Sequence, residues 1–288
     1  MRTEVWIIIG IIAYALFMVC HGFSNFRATS KSSESFFNAD RGVNSFVLVC
    51  TTAISVYSGL SYYGYPASTY ANGIGYVAAA GCAVSGLLFC LMGYRIWILG
   101  REYGFQTPDY LRTRYYSEGF GLFVSVLLVI FIVPYVAVQL MTIGSGIEVT
   151  TKGMFPYLPA VLLGTVCVSL HVIGGGMKSV AWLDTFHAIL GVCAVYIVVY
   201  YLVKHFFPDG GLVEAANIVK SNPDTASILS TPGPNGTYTW KGLLNQALTA
   251  AVATIVWPHI FMRCYIAKGT KNFKVMSWAL PLAYVIPV

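Results

Sequence analysis

Hydrophobic residues in this sequence form long blocks separated by short polar stretches. Seven blocks approach or exceed the roughly 17 to 25 apolar residues that a helix needs to cross about 30 Å of hydrocarbon. They are 5–22, 46–65, 74–94, 119–144, 156–175, 185–203 and 242–266. An eighth block begins at about Met276 and is incomplete at the last residue. The pattern predicts an all-α integral membrane protein with about seven and a half transmembrane helices.

Composition and charge placement support a membrane location. The chain is 57% hydrophobic and only 10% charged. If the connections alternate between the two sides, twelve Lys and Arg residues fall on one side and five on the other. Cytoplasmic loops carry the excess of Lys and Arg, so the N-terminus is predicted outside. We therefore expect a multi-pass protein of the cell membrane. Its expected partner is the lipid bilayer, and no nucleic-acid partner is expected. An alternative interpretation of block 5–22 is an uncleaved signal-anchor.

The second block has a polar centre that a simple membrane anchor does not need. Two interpretations fit small residues in this position. They allow neighbouring helices to approach closely, or they mark a helix interrupted at mid-membrane, where freed carbonyls and hydroxyls can bind a cation. The residues concerned are Thr51, Thr52, Ser55, Ser58, Gly59, Ser61, Gly64 and Pro66.

Two later blocks also carry polar residues. Gln139, which follows Pro134 in the fourth block, either bonds to a neighbouring helix or lines a cavity. Gly174–Gly176 predicts an unwound stretch after the fifth block, and Asp184 is predicted to start the sixth. An acidic residue there either complements the helix dipole or lies on a cation exit path.

Nothing in the sequence predicts an enzyme. It contains no nucleotide-binding loop, no GxSxG and no HExxH. The seven cysteines fall within or at the ends of the blocks and form no CxxC pair, so we assign them no chemistry. His171 and His187 lack further ligands at metal-binding spacing, so no metal beyond a sodium ion is predicted.

Five segments, in this order and spacing, resemble the solute:sodium symporter family, which includes the proline, pantothenate and sodium/glucose carriers. The GGxxxVxWxD turn and the PHIxxR segment are the more specific. The segments are ESFFNADRGVNSFV, SVYSGLSYYGYPASTYANG, FQTPDYLRTRYY, GGGMKSVAWLDTFH and WPHIFMRCYIAKGTKNFK. The resemblance covers nearly the whole chain.

The resemblance implies a leucine-transporter-type inverted-repeat fold, present here in incomplete form. Residues 1–288 would be a single truncated transporter domain with an extra N-terminal helix at 5–22. The first five-helix repeat would span 46–203, and the second would begin at 242–288. The implied function is sodium-coupled symport of a small organic solute, of the amino acid or carboxylate class, by alternating access.

The resemblance also implies site residues. In the family, sodium lies between backbone carbonyls of the first broken helix and hydroxyls of the eighth core helix. The matching carbonyls here are those of Ile54 and Tyr57, and Asp184 matches the acidic residue on the intracellular sodium path.

The solute would lie above the sodium site, and Gln139 is our further candidate for its cavity. The implied residues are Val56, Ser58, Gly59 and Ser61. Val56 stands where proline carriers have an aspartate and sugar carriers an asparagine, so neither specificity can be transferred. No cation lies at the centre of a block to select an anionic solute.

Length limits the functional interpretation. The second repeat stops within its second helix, so the hydroxyls that complete the family's sodium site are not in this sequence. We therefore expect the complete protein to be the symporter and this piece alone to be inactive. The alternatives are a transporter-like sensor domain of a longer signalling protein or an inactive truncated fragment. The sequence specifies neither the solute, nor sodium over proton coupling, nor the oligomeric state.

Overall fold

The computed structural model describes residues 3–103 and 107–285, which are almost entirely helical. Short helices connect the main ones at Phe26–Thr29, Ser33–Asn38, Thr107–Arg114 and Ala226–Leu229. The described residues contain no β-strand, only an isolated bridge between Val43 and Ala267. The main helices are α1 (Thr3–Ser24), α2 (Ser45–Val56), α3 (Ser61–Asn72), α4 (Ile74–Glu102), α5 (Glu118–Thr150), α6 (Tyr157–Phe206), α7 (Gly211–Ser221), α8 (Trp240–Val256), α9 (Pro258–Cys264) and α10 (Lys271–Val285).

Four of the described helices are long and apolar enough to cross a membrane. They are α4, α5, α6 and α1 extended to Thr29. Two bent pairs, α2 with α3 at 56° and α8 with α9 at 57°, raise the number to six if each pair is one broken span. The chain is therefore a multi-pass membrane protein.

The fifth and sixth predicted segments are joined in α6, which at 50 residues is far longer than one bilayer crossing requires. Gly176, with φ 56° and ψ −163°, breaks its helical geometry. A left-handed φ of this kind suits glycine, which lacks a Cβ. The two halves, 157–175 and 177–206, correspond to the two predicted segments.

Helix α4 is irregular along its length. It begins as a 3₁₀ helix over Ile74–Val84 and contains a π-helical turn over Phe89–Gly93 before ending as an α-helix over Tyr94–Tyr103. Hydrophobic periodicity alone indicates a helix here and does not reveal these changes in winding.

The buried core lies among the interrupted helices and α10. Its largest fully buried side chains include Leu48 of α2, Phe89 of α4, Ile260 of α9 and Met276 of α10. In contrast, α1, α5 and α6 expose many large apolar side chains, as expected of helices that face lipid. The first half of α6 packs between α1 and α5, and its second half packs on α2.

Hydrogen bonds at the bridge between Val43 and Ala267 join the segment before α2 to the segment after α9. The Val43 N–H donates to the Ile266 carbonyl at 3.1 Å, and the Lys268 N–H donates to the Val43 carbonyl at 2.9 Å. The Asn272 amide adds a hydrogen bond to that Val43 carbonyl at 2.8 Å. The indole N–H of Trp97 donates to the Ala267 carbonyl at 2.7 Å.

Candidate functional site

The first interrupted helix contains a stretch in which backbone groups leave their helical partners. In a continuous helix, the N–H groups of Ser58 and Ser61 would bond to the carbonyls of Ile54 and Tyr57. Instead, the Ser58 N–H donates to the Ser61 hydroxyl at 3.2 Å, and the Ser61 N–H donates to the Ser58 carbonyl at 2.8 Å. The helical donors for the Ile54 and Tyr57 carbonyls are therefore engaged elsewhere.

Gln139 on α5 binds directly to the interruption. Its Oε1 accepts a hydrogen bond from the Gly59 N–H at 2.7 Å. The same helix approaches so closely that a Cβ on Gly59 would overlap the side chain of Thr142. The structure therefore contains the first of the two predicted roles of Gln139, a hydrogen bond to a neighbouring helix. The close approach of α5 to the interruption requires glycine at position 59.

A cavity of about 700 Å³ lies between the first broken span and the second half of α6. Three of the predicted site residues line it, namely Ile54, Tyr57 and Ser61. Its opposite wall includes Ala188 and Gly191 of α6. The other predicted solute residues, Val56, Ser58, Gly59 and Gln139, lie outside its lining.

Val56 faces the packed side of the broken span, and Tyr57 lies between the large cavity and α10. The Val56 side chain is buried in the core, and its carbonyl accepts a hydrogen bond from the Ser61 hydroxyl at 3.3 Å. The Tyr57 hydroxyl donates to the Ala283 carbonyl at 2.5 Å. These contacts fix the last residues of α2 against α10, so the interruption has a defined geometry.

Asp184 is part of a buried polar cluster between α2, α6 and α9. The Thr51 hydroxyl donates to Asp184 Oδ2 at 2.5 Å, and Arg263 Nη2 donates to the same oxygen at 3.0 Å. Arg263 Nη2 also donates to the Ser55 hydroxyl at 3.1 Å. The cluster joins the first broken helix, the second broken helix and the long helix α6 through their side chains.

The position of Asp184 differs from the predicted one. We expected it to start the sixth segment, but it lies inside α6, well after the break at Gly176. It sits one turn before Ala188, which lines the large cavity. The carboxylate itself is not among the groups that line the cavity, and its hydrogen bonds go to Thr51 and Arg263.

A second polar and aromatic cluster surrounds the interruption between α8 and α9. The backbone is extended at Trp257, and Pro258 begins α9. The ring of His259 stacks with Tyr135 at a centroid distance of 5.0 Å and with Trp257 at 5.6 Å. Tyr135 lies one turn before Gln139 on α5, and its carbonyl accepts a hydrogen bond from Gln139 Nε2 at 3.5 Å. Because Gln139 also accepts from the Gly59 N–H, α5 contacts both interruptions.

Sequence reasoning did not identify Arg263, Tyr135 or His259 as site residues. Arg263 was counted among the basic residues of one membrane side, whereas its side chain is only 8% exposed. Both ring nitrogens of His259 are buried without a hydrogen-bond partner among the described residues. The proline at 258 and the PHIxxR segment were the available signals.

The oxygen ligands available at the first interruption suit a hard monovalent cation. Backbone carbonyls at an unwound stretch are the groups that coordinate sodium in membrane carriers with broken helices. Within residues 3–103 and 107–285, no group of three or more His, Cys, Asp or Glu side chains could hold a metal ion. At the first interruption, the oxygen groups whose helical donors bond elsewhere are the carbonyls of Ile54 and Tyr57.

Comparisons with known proteins agree on one family of transporters. The model of the sodium:solute symporter family matches residues 36–286. The chain is 22% identical to the uncharacterized symporter YhjB of Bacillus subtilis, over 99% of this chain and 57% of that protein. It is 26% identical to a sodium/pantothenate symporter of Haemophilus influenzae, over 82% of this chain and 48% of that protein. The chain spans about half the length of these curated relatives.

Proposed function

The chain belongs to the sodium:solute symporter family, and on this basis we propose that the protein takes part in sodium-coupled uptake of a small organic solute. Membership of a family of transporters confirms that the chain is not an enzyme and that its setting is the membrane. The single observation that carries the proposal is the stretch at residues 57–61, where the helix ends and carbonyls lose their helical donors.

In this proposal, sodium binds at the carbonyls of Ile54 and Tyr57. Both residues line the large cavity, and the N–H groups that would occupy their carbonyls in a continuous helix bond elsewhere. Hydroxyls from a segment outside this chain would complete the coordination, as the family resemblance implies. Asp184, one turn from the cavity wall, supplies negative charge on the path of the ion.

The solute binds near the two interruptions. Ser58, Gly59, Ser61 and Gln139 form one side, and Val56 forms the floor through its backbone. Tyr135 and His259 are added because Tyr135 stacks on His259 at the second interruption and lies one turn from Gln139, which binds the first. We propose an amino acid or small carboxylate, since His259 offers buried nitrogens that need a polar partner.

The proposal includes an arrangement of the helices in two repeats. The two broken spans bend by similar angles, 56° and 57°, and each would be the first helix of a five-helix repeat, at 46–203 and from 242 onward. Alternating access then consists of one set of helices moving against another around the fixed site. The buried pair of Asp184 and Arg263 holds α6 and α9 together, so this pair would have to open as the site changes sides.

Sodium-dependent uptake is the test of this proposal. Cells that produce the complete protein are given radiolabelled amino acids and small carboxylates in sodium or choline buffer, and ²²Na⁺ binding to the purified complete protein is measured separately. We expect uptake of at least one compound to require sodium. Ser58→Ala removes the hydroxyl that this proposal places against the solute. The loss of one such hydrogen bond, worth about 1 kcal/mol, should weaken the response to solute roughly fivefold.

Ser230→Ala is the matched control, because Ser230 is exposed on the loop before α8. It should leave both measurements unchanged. Equal uptake in sodium and choline for every compound, together with no saturable ²²Na⁺ binding, would contradict the proposal.

A further inference from the structure

A second cavity, of about 420 Å³, lies in a groove between α1, α5 and the first half of α6. It shares no lining residue with the large cavity beside the interruption. Its walls carry no charged side chain and are formed by residues such as Ile7, Gly10 and Ile11 of α1, Ile143 and Ile147 of α5, and Leu163 of α6.

The chemistry of the walls determines what can fill this groove. A water molecule is stable in a cavity only where several polar groups bond to it. The walls are mainly aliphatic, and the hydroxyl of Tyr14, which also lines the groove, is bonded to His187, so they offer water few partners. An empty space forfeits the dispersion contacts of its lining atoms. A flexible hydrocarbon chain satisfies these walls, and the surrounding bilayer supplies such chains.

Charges at one end of the groove indicate the rest of the ligand. Glu4 lies one turn before Ile7 on α1, and Lys152 follows the end of α5, beyond Ile147. Lys152 Nζ is 2.7 Å from Glu4 Oε1, and the lysine side chain is 79% exposed. The ammonium is thus paired with the Glu4 carboxylate, and a phosphate attached to an acyl chain would bind at the mouth of the groove by drawing the exposed lysine side chain away from Glu4.

We propose that this groove is a phospholipid site, with one acyl chain lying between α1 and α5 and the phosphate beside Lys152. The proposal is independent of sodium and solute binding, because none of these residues touches the interruption. It gives α1 a role, since α1 packs on α6 and forms one wall of the groove.

Gly10 allows a specific test. A Cβ placed on Gly10 meets no atom within 4 Å, so a larger side chain can enter the groove without displacing the helix backbone. Gly10→Phe would fill the space of the acyl chain. Ile12→Phe is the matched control, because Ile12 is on the same helix and is 45% exposed on its lipid-facing side.

The protein is reconstituted in vesicles containing a phospholipid with a photoactivatable acyl chain, and labelled peptides are identified by mass spectrometry. We expect strong labelling of 143–147 and 163–168 relative to 126–133, an exposed apolar stretch of α5 that serves as the internal reference. Gly10→Phe should lose the excess label, and Ile12→Phe should retain it. Unfolding temperatures of both variants verify that each is folded.

Equal labelling of the groove and the reference in the unsubstituted protein would overturn the proposal. Unchanged groove labelling in folded Gly10→Phe would overturn it as well, and so would a photocrosslinker at Ile147 that captures a second copy of the chain. Lys152→Gln tests the headgroup, because it should reduce the labelling by lipids with an anionic headgroup. No effect of that substitution would refute the part of the proposal that concerns the phosphate.

Discussion

Nη2 of Arg263 lies 3.0 Å from Oδ2 of Asp184, and the two side chains are only 8% and 19% exposed. The Thr51 hydroxyl donates to Asp184 and the Ser55 hydroxyl accepts from Arg263, while the buried Nε of Arg263 has no hydrogen-bond partner among the described residues. A buried ion pair is a weak source of net stability, but the loss of one partner leaves an uncompensated charge.

The first prediction concerns this pair. Asp184→Asn should lower the free energy of unfolding by about 3–5 kcal/mol, because Arg263 would keep its charge without a counterion. The double variant Asp184→Asn with Arg263→Gln should lose clearly less than the sum of the two single variants. Denaturant unfolding of the four proteins in detergent measures this coupling. Additive losses, to within about 0.5 kcal/mol, would show that the pair is not coupled.

The second prediction concerns the close approach at Gly59. Gly59→Ala should destabilise the protein by about 1–3 kcal/mol, because the added methyl group overlaps the Thr142 side chain. Thr142→Gly removes all the overlapping atoms and should restore part of the loss in the double variant. Gly10→Ala is the control for a glycine with open space. If Gly59→Ala and Gly10→Ala have the same unfolding midpoint, the helices are farther apart than described.

The third prediction concerns Gln139. Gln139→Leu leaves the Gly59 N–H without its acceptor and should cost about 1–3 kcal/mol of stability. Hydrogen exchange of the Gly59 amide should accelerate in the same variant. Ser125→Ala, which removes only a hydroxyl bonded within its own helix, should change little. A Gly59 amide that exchanges at the same rate in both variants would argue against the bond.

The fourth prediction concerns the break in α6. Gly176→Ala places a Cβ in a left-handed conformation and against the Phe36 carbonyl, so it should destabilise by more than about 1 kcal/mol. Gly119→Ala, near the start of α5, meets no atom within 4 Å and should stay within about 1 kcal/mol of the unsubstituted protein. Thermal unfolding distinguishes the two. A neutral Gly176→Ala would mean that 176 can adopt ordinary helical geometry.

Several features could be predicted from sequence because local residues determine them. The multi-pass helical class follows from the lengths of the apolar blocks. Ser58-Gly59 and Trp257-Pro258 mark the two interruptions, and Gly176 marks the bend in α6, because these residues either weaken helical winding or tolerate other backbone angles. The resemblance to the symporter family is confirmed by the family match. The repeat boundaries and site residues stay predictions.

Other features depend on contacts between distant parts of the chain and have no local signal. Arg263 near a helix end has the appearance of an ordinary basic residue at the membrane surface, and only the folded chain brings it to Asp184. The stacking of Tyr135 with His259 likewise joins residues on different helices. The changes in winding along α4 have no counterpart in its pattern of hydrophobic residues.

The bridge between Val43 and Ala267 has a mechanical consequence. It couples the start of one interrupted helix to the end of the other, with main-chain hydrogen bonds in both directions. These bonds fix the spacing between the segment before α2 and the segment after α9. We therefore expect a rigid-body movement of one broken span to carry the adjoining end of the other with it.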